Sequence, residues 1–550
     1  MTAVAPAPDK TAEGKPAPLL DVHDLALRFG AVTAFDGVSF TLADGELLAV
    51  IGPNGAGKTS LFNVLSRVYR PTRGRMFYGG RDMDSLHVDD LAGAGVARTL
   101  QNLGLFRNLT VLDNVLLGRH HLMRSGVLGG GVWVGRARDE ERGHREKAME
   151  ALDFCGIASY AKYRITMLPY GIQKRVELSR ALAMEPKLLL LDEPVAGMSS
   201  AERADVTNDE IVSPRARLRA RHRHGDAERG TARRASHPCL PRRTPRRGAK
   251  GVSTFLQLLF TGTALGCSYA LVALGFTSIH RATGVINFAQ GAFLLMGAYL
   301  VSYAAVDRGV PFALAILLGI VSMILLGIIF QVLVLRRLAG QPVFTYVMVT
   351  IGLNIVIIAM LDYAFGGAPR ESGAGDPFGS TAVTLGSVTL LWVNIWTIII
   401  TAAILVAFFL FDRYSRYGLA TRATAVDEEA ALAVGIPVRR VKAIAWATSG
   451  ALAAVAGVFL SGYPNGLAPT TGDVALLAFP AIIIGGLDSP IGAVVGGLVI
   501  GLVYEMTEGY GGDLSFLGKG FYGIAPYVVM FAVLLARPYG IFGHRPVERV

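Results

Sequence analysis

Apolar and polar positions change period partway along the chain. Between Leu19 and about Glu210, short β-rich runs such as Val38–Leu42 (VSFTL) and Glu46–Gly52 (ELLAVIG) alternate with helix-forming stretches such as Glu141–Phe154. Alternating runs of this kind predict an α/β domain. From Phe255 to about Leu535 the pattern becomes a series of apolar runs, at roughly 254–277, 284–306, 311–335, 343–363, 386–411, 443–462, 474–508 (interrupted by GGLDSPIG) and 521–536. Most reach the ~20 residues that a helix rising 1.5 Å per residue needs to cross about 30 Å of hydrocarbon. The expectation is an all-α polytopic membrane domain. Gly- and Ala-rich runs such as SGALAAVAGVFLSG and GAVVGGLVIG suit helices whose backbones approach closely in lipid.

These patterns divide the chain into a tail over 1–18, an α/β domain over 19–210, an Arg-rich linker over 211–251 and the membrane domain over 252–550. The tail is rich in Ala and Pro and has no apolar run, so it is expected to be disordered rather than a signal peptide. The formal charge of +11 would ordinarily suggest an anionic partner. However, residues 211–250 hold twelve Arg and one Lys against Asp226 and Glu228, a net +11, so the rest of the chain sums to zero. Basicity therefore speaks only for the linker, and no nucleic-acid partner is expected. Cys155, Cys239 and Cys267 stand far apart, which excludes a disulfide framework or a zinc site by spacing and suits a reduced compartment.

Gly52–Ser60 reads GPNGAGKTS, the G-x-x-x-x-G-K-[ST] pattern, with strand-like sequence before it and helix-like sequence after. Gly52, Pro53, Asn54, Gly55, Ala56, Gly57 and Ser60 would form a loop whose amides and helix start converge on phosphate oxygens. Lys58 would neutralise the β and γ phosphates of ATP, and the Thr59 hydroxyl would hold Mg²⁺. Downstream, KLLLLDEP is an apolar strand ending in two carboxylates. Asp192 is placed to organise Mg²⁺, and Glu193 to polarise an attacking water.

Between these motifs lies MLPYGIQKRVELSRALAMEP, Met167–Pro186. With the loop and the acidic strand it resembles the ATPase of ABC transporters. Pro169 and Tyr170 stand where the commonest signature has Ser and Gly, which resembles the branched-chain amino-acid importer subfamily. The resemblance implies that Tyr170, Gly171 and Gln173 open a helix facing the nucleotide of an opposite ATPase. It implies that Gln101, in RTLQNLGLF, touches Mg²⁺ and the attacking water, and that Val195–Glu202 is the D-loop. Phe29 either stacks on adenine or belongs to the core. The stretches Gly262–Leu300 and Arg413–Trp446 resemble the permease of the same importers. The family implies a second ATPase, a second permease and an extracytoplasmic solute-binding protein as partners, with membrane lipid around the spans and ATP and Mg²⁺ as cofactors.

Arg413, Arg416, Arg422, Arg439, Arg440 and Lys442 crowd one loop between apolar runs, which places it in the cytoplasm. Within it, Asp427–Gly435 is a candidate coupling helix that docks on the ATPase, or else part of a solvated loop. Charges inside the runs are few: Asp362 and Glu505 lie near ends, and Asn287, Gln290 and Asn354 are neutral. Such a path suits a small neutral solute, whether a branched-chain or other amino acid, urea or an amide. Ile286–Gly291 either lines that path or packs helices. Counting spans back from the basic loop sets the segment before Phe255 outside, the wrong side for an ATPase.

In the family an apolar strand leads to a switch histidine near the position of Asp226, followed by strands that close the sheet. Here His222 and His224 sit in RLRARHRHGDAERG with no such strand, so neither takes that role. The composition of Pro214–Lys250 is that of GC-rich DNA read out of frame, and a functional basic linker is the other reading. The fold expected is an α/β P-loop ABC ATPase without its C-terminal part, followed by an all-α permease. The expected function is ATP-driven solute import across the bacterial cytoplasmic membrane, with the ATPase on the cytoplasmic face. A P-loop NTPase acting on nucleic acid and an inert chimera with only the permease folded are the alternatives.

Overall fold

The computed structural model describes residues 18–53, 55–99, 104–123, 136–192, 249–366, 370, 382–385, 388–462, 466–511, 518 and 520–543. They form two compact units. One gathers the described residues up to Asp192 together with Tyr414–Val438, and the other gathers those from Ala249 to Arg413 and from Arg439 onward.

The first unit opens with an antiparallel sheet of β1 (Leu20–Phe29), β2 (Val32–Leu42), β3 (Arg73–Tyr78) and the short β4 (Arg81–Asp82), in the order β2-β1-β3-β4. Leu20 pairs with Leu42 on one side and Tyr78 on the other. Leu20, Val22, Leu25 and Leu27 enter a core with Met76 and with Leu61, Val64 and Leu65 of α1 (Lys58–Leu65). After α2 (Val88–Ala94), β5 (Val96–Arg98) pairs in parallel with β6 (Leu188–Leu190). A helical subdomain of α3 (Val111–Gly118), α4 (Arg136–Phe154) and α5 (Tyr170–Ala183) lies between them in sequence, closed around Val115, Leu152 and Val176.

The expected strand at Glu46–Gly52 does not form. The segment joins no sheet, and its apolar side chains face outward, Leu47 at 71% and Ile51 at 91% exposure. A parallel strand with apolar residues throughout is stable only when it is flanked and covered on both faces. Among the described residues the parallel sheet consists of β5 and β6 alone, so the strand-forming sequence has no neighbour to pair with.

The second unit is helical. Its first helices are α6 (Ala249–Thr283), α7 (Gln290–Ser302), α8 (Phe312–Leu333), α9 (Val343–Phe365) and α10 (Trp392–Tyr414). A hairpin of β7 (Ala382–Leu385) and β8 (Val388–Leu391) precedes α10. The chain then enters the first unit through α11 (Arg416–Val426) and α12 (Glu428–Ala433). It returns as α13 (Val438–Leu460), α14 (Val474–Gly485), α15 (Pro490–Gly509) and α16 (Phe521–Ala536). Six helices among the described residues are long and apolar enough to cross a membrane.

One expected span is corrected. The run 284–306 is helical only from Gln290, because Gly284 takes φ 69° and ends α6, and Asn287 turns its side-chain oxygen back to accept from the Ala289 N–H. The run 474–508 forms two helices divided at GGLDSPIG, as expected, with Pro490 starting α15.

Helices α6 and α15 lie antiparallel in close contact: a Cβ on Gly497 would fall 2.5 Å from the Ala270 nitrogen, and one on Gly266 2.8 Å from the Leu498 Cα. At the end of α6, His280 Nδ1 stands 3.0 Å from Asp488 Oδ1, and Arg281 donates to Asp412 at 3.3 Å. Asp412 directly precedes Arg413, the first cation of the basic loop. The last turn of α6 therefore shares the loop's end of the unit, and its first turn lies at the opposite end.

The exposed run yields a contrast. Leu47→Lys changes the stability of the first unit by no more than about 0.5 kcal/mol, while Leu25→Lys, at a fully buried site, costs several-fold more. Pulse proteolysis of the full chain across a urea series measures both; equal losses would show that Leu47 is packed.

Candidate functional site

The phosphate loop turns into α1 at Lys58, with Gly55 and Gly57 both in the left-handed region, at φ 82° and 83°. Gly57 admits no side chain, since a Cβ there would fall 2.3 Å from the Ala34 carbonyl oxygen. Successive amides in such a turn face one side, and the helix start adds its positive end. Lys58 Nζ donates to the Gly52 and Pro53 carbonyls at 2.6 and 2.9 Å, which folds the ammonium over the loop. Gly52, Pro53, Gly55 and Ala56 are exposed, and Thr59 and Ser60 are half-buried in the first turn of α1.

Asp192 follows β6 and is buried. Its amide donates to Thr99 Oγ1 at 3.1 Å, and its Oδ2 lies 3.5 Å from Arg98 Nη2 without a hydrogen bond. Arg98, at the end of β5, also donates to Asn63 Oδ1 at 2.6 Å and to Ser66 Oγ at 2.7 Å. One guanidinium thus ties the helix behind the phosphate loop to the acidic strand. Burial pulls the Arg98 pKa down, while Asp192 supports its charge. Sequence reasoning missed Arg98; the available signal was a cation closing an apolar strand three residues before Gln101. An orphaned carboxylate oxygen, with a threonine hydroxyl on the loop, is the hard-oxygen donor set that Mg²⁺ takes, so these residues fit the metal.

Helix α5 begins at Tyr170, which is exposed, while Gly171 is buried. Gln173 Nε2 donates to the Leu168 carbonyl at 2.8 Å and so holds the turn that starts the helix. Behind this start, Lys174 and Glu177 form a buried pair at 3.2 Å, and Arg180 donates to the Gly104 carbonyl at 2.6 Å over the Phe106 ring. Phe29 is not in the core: it is 48% exposed and meets Tyr69 edge to face at 5.2 Å. Asn54, Gln101, Glu193, the D-loop at 195–202, His222, His224, Cys239 and the Arg-rich stretch lie outside the described residues, as does the tail 1–17.

Asp427–Gly435 is not a solvated loop. Asp427 caps α12 by accepting from the Ala430 N–H at 2.9 Å, and Ala430, Ala431, Val434 and Ile436 are buried. Gly435, at φ 79°, lies so close to α2 that a Cβ would come within 2.5 Å of Ala92 Cβ and 3.5 Å of His121 Cβ. Leu419 joins the cluster of Val115 and Leu152. Burial, then Arg416, holds the His120 imidazole down at about 4, so it is neutral where the segment packs.

A family model described as the permease component of branched-chain amino acid transport systems matches residues 258–536, and one for ABC transporters matches 35–196. The high-affinity branched-chain amino acid transport ATP-binding protein LivG of Salmonella typhimurium is 36% identical over 205 residues, 37% of this chain and 78% of LivG. The permease protein LivH of the same system and organism is 31% identical over 312 residues, 54% of this chain and 98% of LivH. A solved nucleotide-free ATP-binding cassette of an ABC transporter is 29% identical, covering 34% of this chain and 74% of its own at a TM-score of 0.29.

Two outcomes are expected. Lys58→Ala removes the only loop cation and weakens Mg-ATP binding by at least about tenfold, read by equilibrium binding of a fluorescent nucleotide; equal affinity would remove the site from this loop. Gly435→Val cannot keep both its backbone angle and its contact with Ala92, so Tyr414–Val438 becomes sensitive to protease in the folded chain while nucleotide affinity is unchanged.

Proposed function

From a chain that belongs to the branched-chain amino acid transport permease family and carries an ABC transporter ATP-binding segment ahead of that permease, we infer a component of an ATP-driven importer of branched-chain amino acids. The observation that carries this reading is the packing of Asp427–Gly435 on α2, which joins a permease-family segment to the ATP-binding unit. In this reading Gly52–Ser60 holds the phosphates, Thr59 and Asp192 hold Mg²⁺ with Gln101, and Glu193 polarises the water. Phe29 faces the adenine. Tyr170, Gly171 and Gln173 serve a nucleotide on the opposite ATPase, which requires a second ATPase subunit. A second permease and an extracytoplasmic binding protein complete the importer.

The chain's own contribution to hydrolysis is small in this reading. The Glu46–Gly52 run that leads into the phosphate loop pairs with no strand among the described residues, and a charge-stabilising site displaced in this way loses roughly 10²-fold or more. Arg98 keeps α1 and Asp192 together, so nucleotide binding survives better than turnover. The 1–18 tail, the 19–210 ATPase region, the 211–251 junction and the 252–550 permease region remain the domain division we favour, with the junction arising from a change of reading frame.

Uptake of radiolabelled leucine, isoleucine and valine, with urea as control, in a strain without its own branched-chain importers tests the function. Saturable uptake of the three amino acids that requires this chain is expected. Uptake of urea alone, or none, would overturn the reading. For the junction, one of the other two frames of the DNA encoding residues 205–255 should yield an apolar strand followed by a histidine; two frames without one would make the linker genuine.

A further inference from the structure

Helix α10 is held unevenly along its length. Its buried residues, Val393, Thr397 and Thr401, all lie in its first half. Gly462, just past the end of α13, packs there, so close that a Cβ on it would fall 3.1 Å from Val393 Cγ2. From Ala402 to Tyr414, about 20 Å of helix, no residue is buried, and Ile404, Leu405 and Phe408 rest half-buried against the core. A stretch with so few buried contacts shifts more readily than the packed half that anchors it.

This looser half leads straight into the segment that packs on α2. Asp412 stands in the last turn of α10, the helix ends at Tyr414, and α11 starts at Arg416. Ser415 between them accepts from the Gly418 N–H at 3.0 Å, which makes the joint itself a helix cap. A joint of one residue has little length in which to absorb a displacement, so a shift of α11 is passed to the end of α10.

The last turn of α10 meets the last turn of α6 through charge. Arg281 Nη1 donates to Asp412 Oδ1 at 3.3 Å, and the two side chains are only 10% and 19% exposed. A well-packed apolar pair would hold two helices at least as firmly, because desolvating two charges costs about what their attraction returns. What the charges add is selectivity, since either one displaced from the other is left buried without its counter-charge. On its far side Arg281 belongs to a larger body: α6 is pinned against α15 by the close glycine contacts, and the preceding residue, His280, reaches Asp488 in the turn before α15 at 3.0 Å.

We propose that Arg281 is a positioning residue for transport, tying the end of α10 to the end of α6 so that displacement of Tyr414–Val438 moves both. The anchored half of α10 is the pivot, the half past Thr401 is the arm, and the ion pair passes the movement of the arm to α6. The proposal rests on the import reading above and adds the contact through which ATP turnover reaches the membrane helices.

The test uses proteoliposomes holding the full chain with the subunits it assembles with, and reads leucine uptake and ATP hydrolysis in the same preparation. Arg281→Gln, present at wild-type level, should lower the leucine imported per ATP hydrolysed about fivefold or more, the lower end of coupling between distant sites, while hydrolysis continues. The double variant Arg281→Cys with Asp412→Cys should show the same loss while its thiols are free. A short bifunctional methanethiosulfonate that links the two should restore the ratio, and a reductant should abolish it again. This comparison is made within one folded protein, so it decides the matter even where Arg281→Gln does not reach the membrane. An unchanged ratio in Arg281→Gln, or a linked cysteine pair that imports no better than the reduced one, would overturn the proposal. A wild-type chain that hydrolyses ATP with its subunits and imports no leucine would overturn the import reading itself, and the proposal with it.

Discussion

Inside a bilayer the backbone has no solvent to fall back on, and that constraint shapes the second half of this chain more than any side chain does. Every N–H and C=O must be met within the protein, so an interruption in a spanning helix has to be sheltered. Gly284–Ala289 is sheltered by Asn287, Thr350 and Gln290, each of which meets a backbone or side-chain partner in the unit's interior. Lipid provides no hydrophobic drive for helices to associate, so closeness has to come from small residues. Gly485 and Gly492 meet backbone to backbone across the α14–α15 turn, and Gly266 and Gly497 bring α6 against α15. Bulk at these points would separate the helices and leave the broken segments without partners.

The cassette unit answers to a different requirement. Its antiparallel sheet is paired within Leu20–Asp82 and needs no distant strand, while its helical subdomain closes on a core that Leu419 joins from far along the chain. A parallel sheet has no such independence, because each strand borrows neighbours from distant sequence. Glu46–Gly52 shows the result: residues well suited to a buried strand lie in the open, next to a phosphate loop whose own turn is nonetheless intact.

The sequence revealed most of this architecture because its signals were local. The phosphate-loop pattern, the signature helix start at Tyr170 and the apolar runs each depend on a few consecutive residues, and the structure turns at Gly57, starts α5 at Tyr170 and spans where those runs lie. What escaped was long-range. Arg98 matters because it meets Asn63, Ser66 and Asp192, residues far from it in the chain. The run 284–306 reads as one span by hydropathy, since Asn287 and Gln290 are too few to lower the average, and only their contacts with α13 and Ala289 show where the helix breaks.

The seam between α6 and α15 locks register as well as distance. A Cβ on Gly501 would fall 2.3 Å from the Gly266 Cα, one on Gly497 2.5 Å from the Ala270 nitrogen and one on Gly266 2.8 Å from the Leu498 Cα. A slide of one residue along this seam would bring a side chain to a place where only hydrogen fits, so the two helices move as one piece.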